Sequence, residues 1–215
     1  DSSPSRGLGD VYKRQGMELQ SMYWMHGVPD TWHAFLRLND ESSIAFVSNP
    51  QIKQIPTELG HTHSGNPGAN SAAGTMQHVA LKVDSYDELL DMRDRLRTKG
   101  VPVLGPMDHG MCFSIYFAGL ENLSLELAFS AEALDQDMWI DTEVTELAGI
   151  SPEELEKYKK PEEFKGQKGA VPQPELDDTK GPHMTNYPPG VYEKSMQLPD
   201  DFVLNMVEST PPGKS

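Results

Sequence analysis

Between residues 75 and 129 the hydrophobic period switches from two to about 3.6 and back again, and this succession constrains the fold more than any other feature of the chain. "MQHVALKV" (76–83) alternates as a strand. "DSYDELLDMRDRLRTKG" (84–100) reads as an amphipathic helix. Ser85 and Glu88 have capping-box spacing, Leu89, Met92 and Leu96 form an apolar stripe, and Gly100 suits the stop. "VPVLG" (101–105), "MCFSIYF" (111–117) and "LSLELAF" (123–129) read as three more strands, the last two joined by "AGLEN". The order is β-α-β-β-β.

An earlier stretch repeats the end of that order. "MELQSMYWM" (17–25) and "TWHAFLRL" (31–38) alternate, and "NDES" (39–42) turns the chain into the apolar "SIAFV" (43–47). Residues 48–74 are rich in Pro, Gly, Asn and Ser and read as a long loop with room for a short helix. The expected fold class is α+β: a domain over 16–129 built of paired βαβββ modules, with 16–48 an N-terminally truncated first module and 75–129 the second. Residues 1–15, which close on "GLGDVYKRQ", have no periodicity and resemble translated adaptor sequence or a disordered tail, so the opening strand of the first module is expected to lie outside this chain. Residues 130–215 form an acidic, Pro-rich extension, with two short helices expected in 130–160 and 9 of the 17 prolines in the last 55 residues. In "SPEELEKYKK" (151–160) Ser151 caps, Pro152 takes the first helical position and Glu154 completes a capping box. Tyr187, Tyr192, Met196, Phe202, Leu204 and Met206 favour docking of this tail over free disorder.

Charge and cysteine content narrow the setting. The net charge is −15, of which −10 falls in residues 130–215, and an acidic chain repels phosphate backbones, which argues against nucleic-acid binding. No apolar run approaches the ~20 residues of a membrane helix. The single cysteine, Cys112, excludes an internal disulfide framework and fits a reducing, cytoplasmic location.

Strand alternation then sorts the polar residues. Val79, Leu81 and Val83 share one face of their strand, with His78, Ala80 and Lys82 opposite. Phe113, Ile115 and Phe117 take the core face of the next, with Cys112, Ser114 and Tyr116 opposite. Leu123, Leu125, Leu127 and Phe129 face the core in the last, with Glu126 on the other side. If the non-core side is concave, His78, Tyr116 and Glu126 converge on one cavity. An imidazole and a carboxylate on one wall are the makings of a divalent-metal site. The plainer alternative has His78 hydrogen-bonded to a neighbouring strand and Glu126 facing water.

These residues resemble the vicinal oxygen chelate superfamily, which includes glyoxalase I, bleomycin-resistance proteins, fosfomycin-resistance enzymes and type I extradiol dioxygenases. The resemblance covers about residues 16–129 and is strongest over 76–129. It implies a pair of βαβββ modules forming a U-shaped sheet around a metal, with His78 and Glu126 as ligands by position. "DHGMCFSIYFAGLENLSLE" is similar to the extradiol dioxygenase signature, with Tyr116 ten residues before Glu126 and His109 seven before Tyr116. The resemblance thus implies Fe(II) or Mn(II) held by two His and one carboxylate, a small catechol-type aromatic diol and O2 as substrates, and His109 and Tyr116 orienting the substrate. The second His is expected in the absent strand. The acid/base His of such enzymes would match Ser42 or Ser43, leaving that role to His61 or His63 of the long loop. Ala45 stands where glyoxalase-type members carry a second Glu, which disfavours a two-Glu site. Family members often pair modules between subunits, so a homo-oligomer is open.

The remaining candidates are assigned plainer roles. His33 shares a face with Phe35 and Arg37 and reads as a structural hydrogen-bonder, His26 and His183 have no assigned role, and Cys112 reads as a packing residue. Arg93, Arg95, Arg97 and Lys99 interleave with acids as a solvated face. Two functions compete with the dioxygenase: a metal-free binding protein of the bleomycin-resistance type, with Trp24, Trp32 and Tyr116 lining its cavity, and a metal-dependent isomerase or lyase of the same fold.

Overall fold

The computed structural model describes residues 16–25, 27–166, 169–177, 183–207 and 210–211. The adaptor-like stretch 1–15 and His26 lie outside the described residues. The chain divides into two compact units, residues 1–134 and 135–215.

The first unit carries two sheets. Strands β1 (Leu19–Trp24), β2 (Trp32–Arg37) and β3 (Ser43–Ser48) form an antiparallel meander. Strands β4 (His78–Lys82), β5 (Val103–Asp108), β6 (Phe113–Ala118) and β7 (Ser124–Phe129) form the second sheet in the order β4-β7-β6-β5. There β4 runs parallel to β7 and the other pairs are antiparallel. Helix α1 (Tyr86–Thr98) connects β4 to β5. It starts where Ser85 Oγ accepts from Glu88 N at 3.0 Å, while the Glu88 carboxylate turns back to accept from Asp84 N at 2.8 Å. The expected cap therefore forms with its second arm one residue early. The long loop contains the short helix expected of it, a 3-10 turn at Pro50–Gln54.

Helix α1 lays its apolar stripe on one face of the second sheet. Leu89 and Leu96, two turns apart, are fully buried against Val83, Val101, Ile115, Phe117 and Leu127. The alternation read from β6 and β7 is the alternation seen: Phe113, Ile115, Phe117, Leu125, Leu127 and Phe129 all belong to this core or pack against it. The opposite face is therefore polar by construction, and Ser114, Ser124 and Glu126 stand on it, all buried.

Strand β5 is longer than "VPVLG" implied, running on through Pro106 to Asp108. Its pairing with β6 shifts register between Leu104 and Met107. Gly105 makes the shift possible: its φ is +108°, and a Cβ there would lie 2.6 Å from the Ser114 carbonyl oxygen.

The second unit holds α2 (Gln136–Trp139), α3 (Thr142–Leu147), α4 (Pro152–Lys159), α5 (Val191–Met196) and α6 (Asp200–Leu204). Residues 130–160 thus carry three helices rather than two, because Asp135 and Asp141 each cap a separate start. Ser151 and Glu154 form the full capping box expected of α4. None of these five helices buries a residue, and Phe202, Leu204 and Met206 are exposed. Tyr187 and Tyr192 pack with ring centroids 5.4 Å apart.

Gly105→Ala is expected to destabilise the protein by about 1–3 kcal/mol, from backbone strain plus displacement of β6. Urea unfolding should show a lower midpoint with an unchanged slope.

Candidate metal centre

The register of the second sheet builds the site. Glu126 lies near the middle of β7, opposite Ala80 of β4 on one side and Tyr116 of β6 on the other. His78 lies two residues before Ala80 and so shares its face. Ala80 has no bulk to block the diagonal between them, and the imidazole reaches across: His78 Nε2 stands 2.8 Å from Glu126 Oε2. The His78 side chain is 25 % exposed and that of Glu126 8 %, so the pair opens to solvent from the histidine side only.

Tyr116 and His109 complete the cluster. The Tyr116 hydroxyl and His109 Nε2 are hydrogen-bonded at 3.0 Å. Tyr116 meets both His78 and His109 edge to face, with ring centroids 6.1 Å apart in each case. His109 comes from the β5–β6 turn, where its N–H donates to the Cys112 carbonyl at 2.9 Å. The four residues singled out in the sequence are thus neighbours on one face. Cys112 lies 3.6 Å from Ser114 Oγ on the same face and is a free thiol.

The donor set fits a divalent cation along one edge. Two oxygen and nitrogen ligands at right angles around a metal, each at about 2.1 Å, lie about 3 Å apart, close to the 2.8 Å between Nε2 and Oε2. At that distance the two atoms need either a proton or a metal cation between them. Among the described residues no group of three His, Cys, Asp or Glu side chains is placed to hold a metal. His78 and Glu126 thus offer two donor atoms, and no third His, Cys, Asp or Glu among the described residues joins them.

Two other sequence readings resolve differently. His63, a candidate acid/base, is buried with both ring nitrogens engaged: Nε2 with the Glu121 carbonyl at 2.7 Å and Nδ1 with Thr62 Oγ1 at 2.9 Å. It clips the loop to the β6–β7 turn. His61 is exposed and lies 3.8 Å from Glu58. Trp24 and Trp32 pair with each other across β1 and β2 on the face of the buried Ala34 and Leu36. They stand on the opposite side of the sheet from Tyr23, His33 and Phe35, which pack together at centroid distances of 5.7–6.2 Å. The tryptophans therefore do not share the face that corresponds to Tyr116, and the aromatic wall of the first sheet is the Tyr23–His33–Phe35 cluster. Alternation from Ala34 and Leu36 could have revealed this. His33, read as a structural hydrogen-bonder, packs edge to face against Tyr23 and Phe35.

Burial pushes the Tyr116 hydroxyl above its ordinary pKa; a hydrogen bond with Ser114 opposes the shift, and the nearby Glu126 carboxylate adds to it. A tyrosine whose folded pKa is raised keeps its proton more tightly in the native state. Its stabilising contribution is complete below about pH 10, the unfolded value, and is lost as pH rises from there through the folded pKa. Spectrophotometric titration of tyrosinate should show a late-ionising class that disappears in Tyr116→Phe.

No curated protein matches the chain. Solved structures match distantly. A glyoxylase/bleomycin resistance protein/dioxygenase domain from Frankia sp. EAN1pec is 12 % identical with a TM-score of 0.45, over 60 % of this chain and 89 % of that one. TnmS3, an antibiotic binding protein from Streptomyces sp. CB03234, is 14 % identical with a TM-score of 0.40, over 60 % and 88 %. The fosfomycin resistance protein FosX from Listeria monocytogenes, solved in one form with Mn(II) and 1S,2S-dihydroxypropylphosphonic acid, is 17 % identical with a TM-score of 0.40, over 63 % and 89 %. The family assignment rests on none of these. It rests on the family model for the Glyoxalase/Bleomycin resistance protein/Dioxygenase superfamily, which matches residues 12–138, more than half of the chain, and the chain belongs to that superfamily.

Proposed function

We propose that the chain is an extradiol-type, ring-cleaving dioxygenase or a close relative, with His78 and Glu126 ligating Fe(II) or Mn(II) and a small catechol-type aromatic diol and O2 as substrates. The observation that carries this reading is the pairing of the His78–Glu126 edge, 2.8 Å wide, with the Tyr116–His109 hydrogen bond beside it. A lone ion pair would need only the first. A hydroxyl and an imidazole next to the open side of a metal edge supply what a bound diol requires: a donor and an acceptor for its two oxygens.

The chain's own residues have separable tasks in this reading. His78 and Glu126 would hold the ion, which when bound would supply Lewis-acid chemistry toward a diol and O2. Glu126 contributes the negative charge that offsets the cation, and its burial keeps that charge from being screened. Tyr116, with its proton held tightly, donates a hydrogen bond to a substrate oxygen. His109 accepts or returns a proton at Nε2, the atom it turns toward the tyrosine.

A second reading, a metal-free ligand-binding protein, is favoured by the lack of a third ligand among the described residues. Metal analysis and oxygen uptake separate the two. The expected result is Mn(II) or Fe(II) bound at one equivalent and O2 consumed with catechol, both lowered at least tenfold in His78→Ala and Glu126→Gln. Protein that takes up neither metal nor oxygen, yet binds an aromatic ligand equally well after His78→Ala, overturns the dioxygenase reading in favour of the binding one.

A further inference from the structure

The side chain immediately before His78 is tied at both ends. Gln77 Oε1 lies 3.0 Å from His78 Nδ1, and Gln77 Nε2 donates to the Ala69 carbonyl at 3.0 Å. The second contact fixes the chemistry of the first. A carbonyl oxygen can only accept, so the amide must present its nitrogen to Ala69, which leaves its oxygen facing the imidazole. An amide oxygen also only accepts, so His78 Nδ1 must carry a proton. Nε2 then faces Glu126 Oε2 at 2.8 Å, across a gap that a second proton fills in the metal-free protein and a bound cation would fill in its place.

Neighbouring contacts hold Gln77 itself in register. Ser64 Oγ, buried, lies 2.5 Å from the Gln77 carbonyl and 2.7 Å from that of Asn66. Both ends of the residue, main chain and side chain, are therefore referred to the 61–72 loop rather than to solvent. Gln77 is surface-exposed, and a single exposed hydrogen bond is worth little against water. An amide fixed at both ends loses less entropy per bond, which preserves its hold on the ring.

We propose that Gln77 is the positioning residue of the site: its side-chain oxygen holds the Nδ1–H of His78 and so aims Nε2 at the cation held with Glu126. The inference rests on the metal-site reading above, but its first consequence does not need a metal. Partners of this kind on the remote nitrogen of a ligand histidine orient the ring and raise its basicity, and their loss typically weakens metal binding about 10–100-fold.

Two variants distinguish positioning from loop anchoring. Gln77→Glu keeps the acceptor for Nδ1–H but forfeits the bond to the Ala69 carbonyl. Gln77→Met forfeits both. Imidazole 15N–1H spectra of the metal-free protein should show a slowly exchanging His78 Nδ1–H in the wild type and in Gln77→Glu, and its loss to exchange in Gln77→Met. Mn(II) titrations followed by EPR should show Gln77→Met about 10–100-fold weaker and Gln77→Glu within a few-fold of wild type, while thermal melting falls by the same amount in both. A wild type in which His78 Nδ1 carries no proton overturns the inference. Equal loss of affinity in both variants, tracking the melting temperature, also overturns it and makes Gln77 a loop anchor. If the wild type binds no Mn(II), the metal reading fails while the Nδ1–H measurement still decides what Gln77 does.

Discussion

A carboxylate in the second strand of a four-stranded sheet, flanked on both sides by paired backbone, must be compensated where it stands. Glu126 is 7 % exposed and shares its strand with Leu125 and Leu127. Left unpaired there it would cost several kcal/mol. The fold supplies the partner from β4, because its parallel pairing with β7 brings the N-terminal residue of β4 level with Ser124 and its side chain diagonally onto Glu126. Helix α1 makes this arrangement obligatory. It claims the aliphatic face of β4, β6 and β7, and what is left of each strand is the face on which His78, Tyr116 and Glu126 meet. Stability of the core and assembly of the site are therefore one constraint acting on two sides of the same sheet.

The two hairpins of the first unit are built to a common measure. β2 and β3 are six residues each with five between them, and so are β6 and β7. Their registers coincide as well: Phe35 faces Ala45 as Tyr116 faces Glu126. Position for position, the first hairpin carries Phe, Ala and His33 where the second carries Tyr, Glu and Ser114. One copy keeps the polar groups that can grip an ion and the other replaces them with a ring cluster.

Much of this was legible in the residues, for a definite reason. Alternation in β4, β6 and β7 is enforced by burial on one side only, so the sequence pattern maps directly onto a face, and His78, Tyr116 and Glu126 could be assigned to one wall from the residues alone. His109 was legible only through family resemblance, since a turn has no periodicity to read. What stayed hidden depended on pairing between distant segments. Nothing local distinguishes His63 from His61, yet one is buried against the Glu121 carbonyl and the other is in solvent. Trp24 and Trp32 look like cavity residues by size, but the register with the buried Ala34 and Leu36 puts them on the far face. Gln77 gives no sign in the sequence because its significance lies in Ala69, eight residues back across a loop.

That loop has a larger part in the site than its composition promised. His63 joins it to the β6–β7 turn, where Glu121 and Asn122 take left-handed backbone angles, φ +55° and +61°. Main-chain bonds from Gly60 to His63 and from Ala72 to Gly60, each 2.8 Å, close it on itself. A histidine engaged in this way, with both nitrogens bonded, is not free to shuttle protons, which withdraws His63 from the acid/base role and leaves it part of a scaffold for the start of β4. On the proposed reading, proton handling then falls to the pair already beside His78, the Tyr116 hydroxyl and His109 Nε2. The division is physically coherent. His63 is buried and doubly bonded, whereas the imidazole to which that reading gives proton exchange, His109, is exposed on a turn beside Tyr116, whose own proton is held by burial.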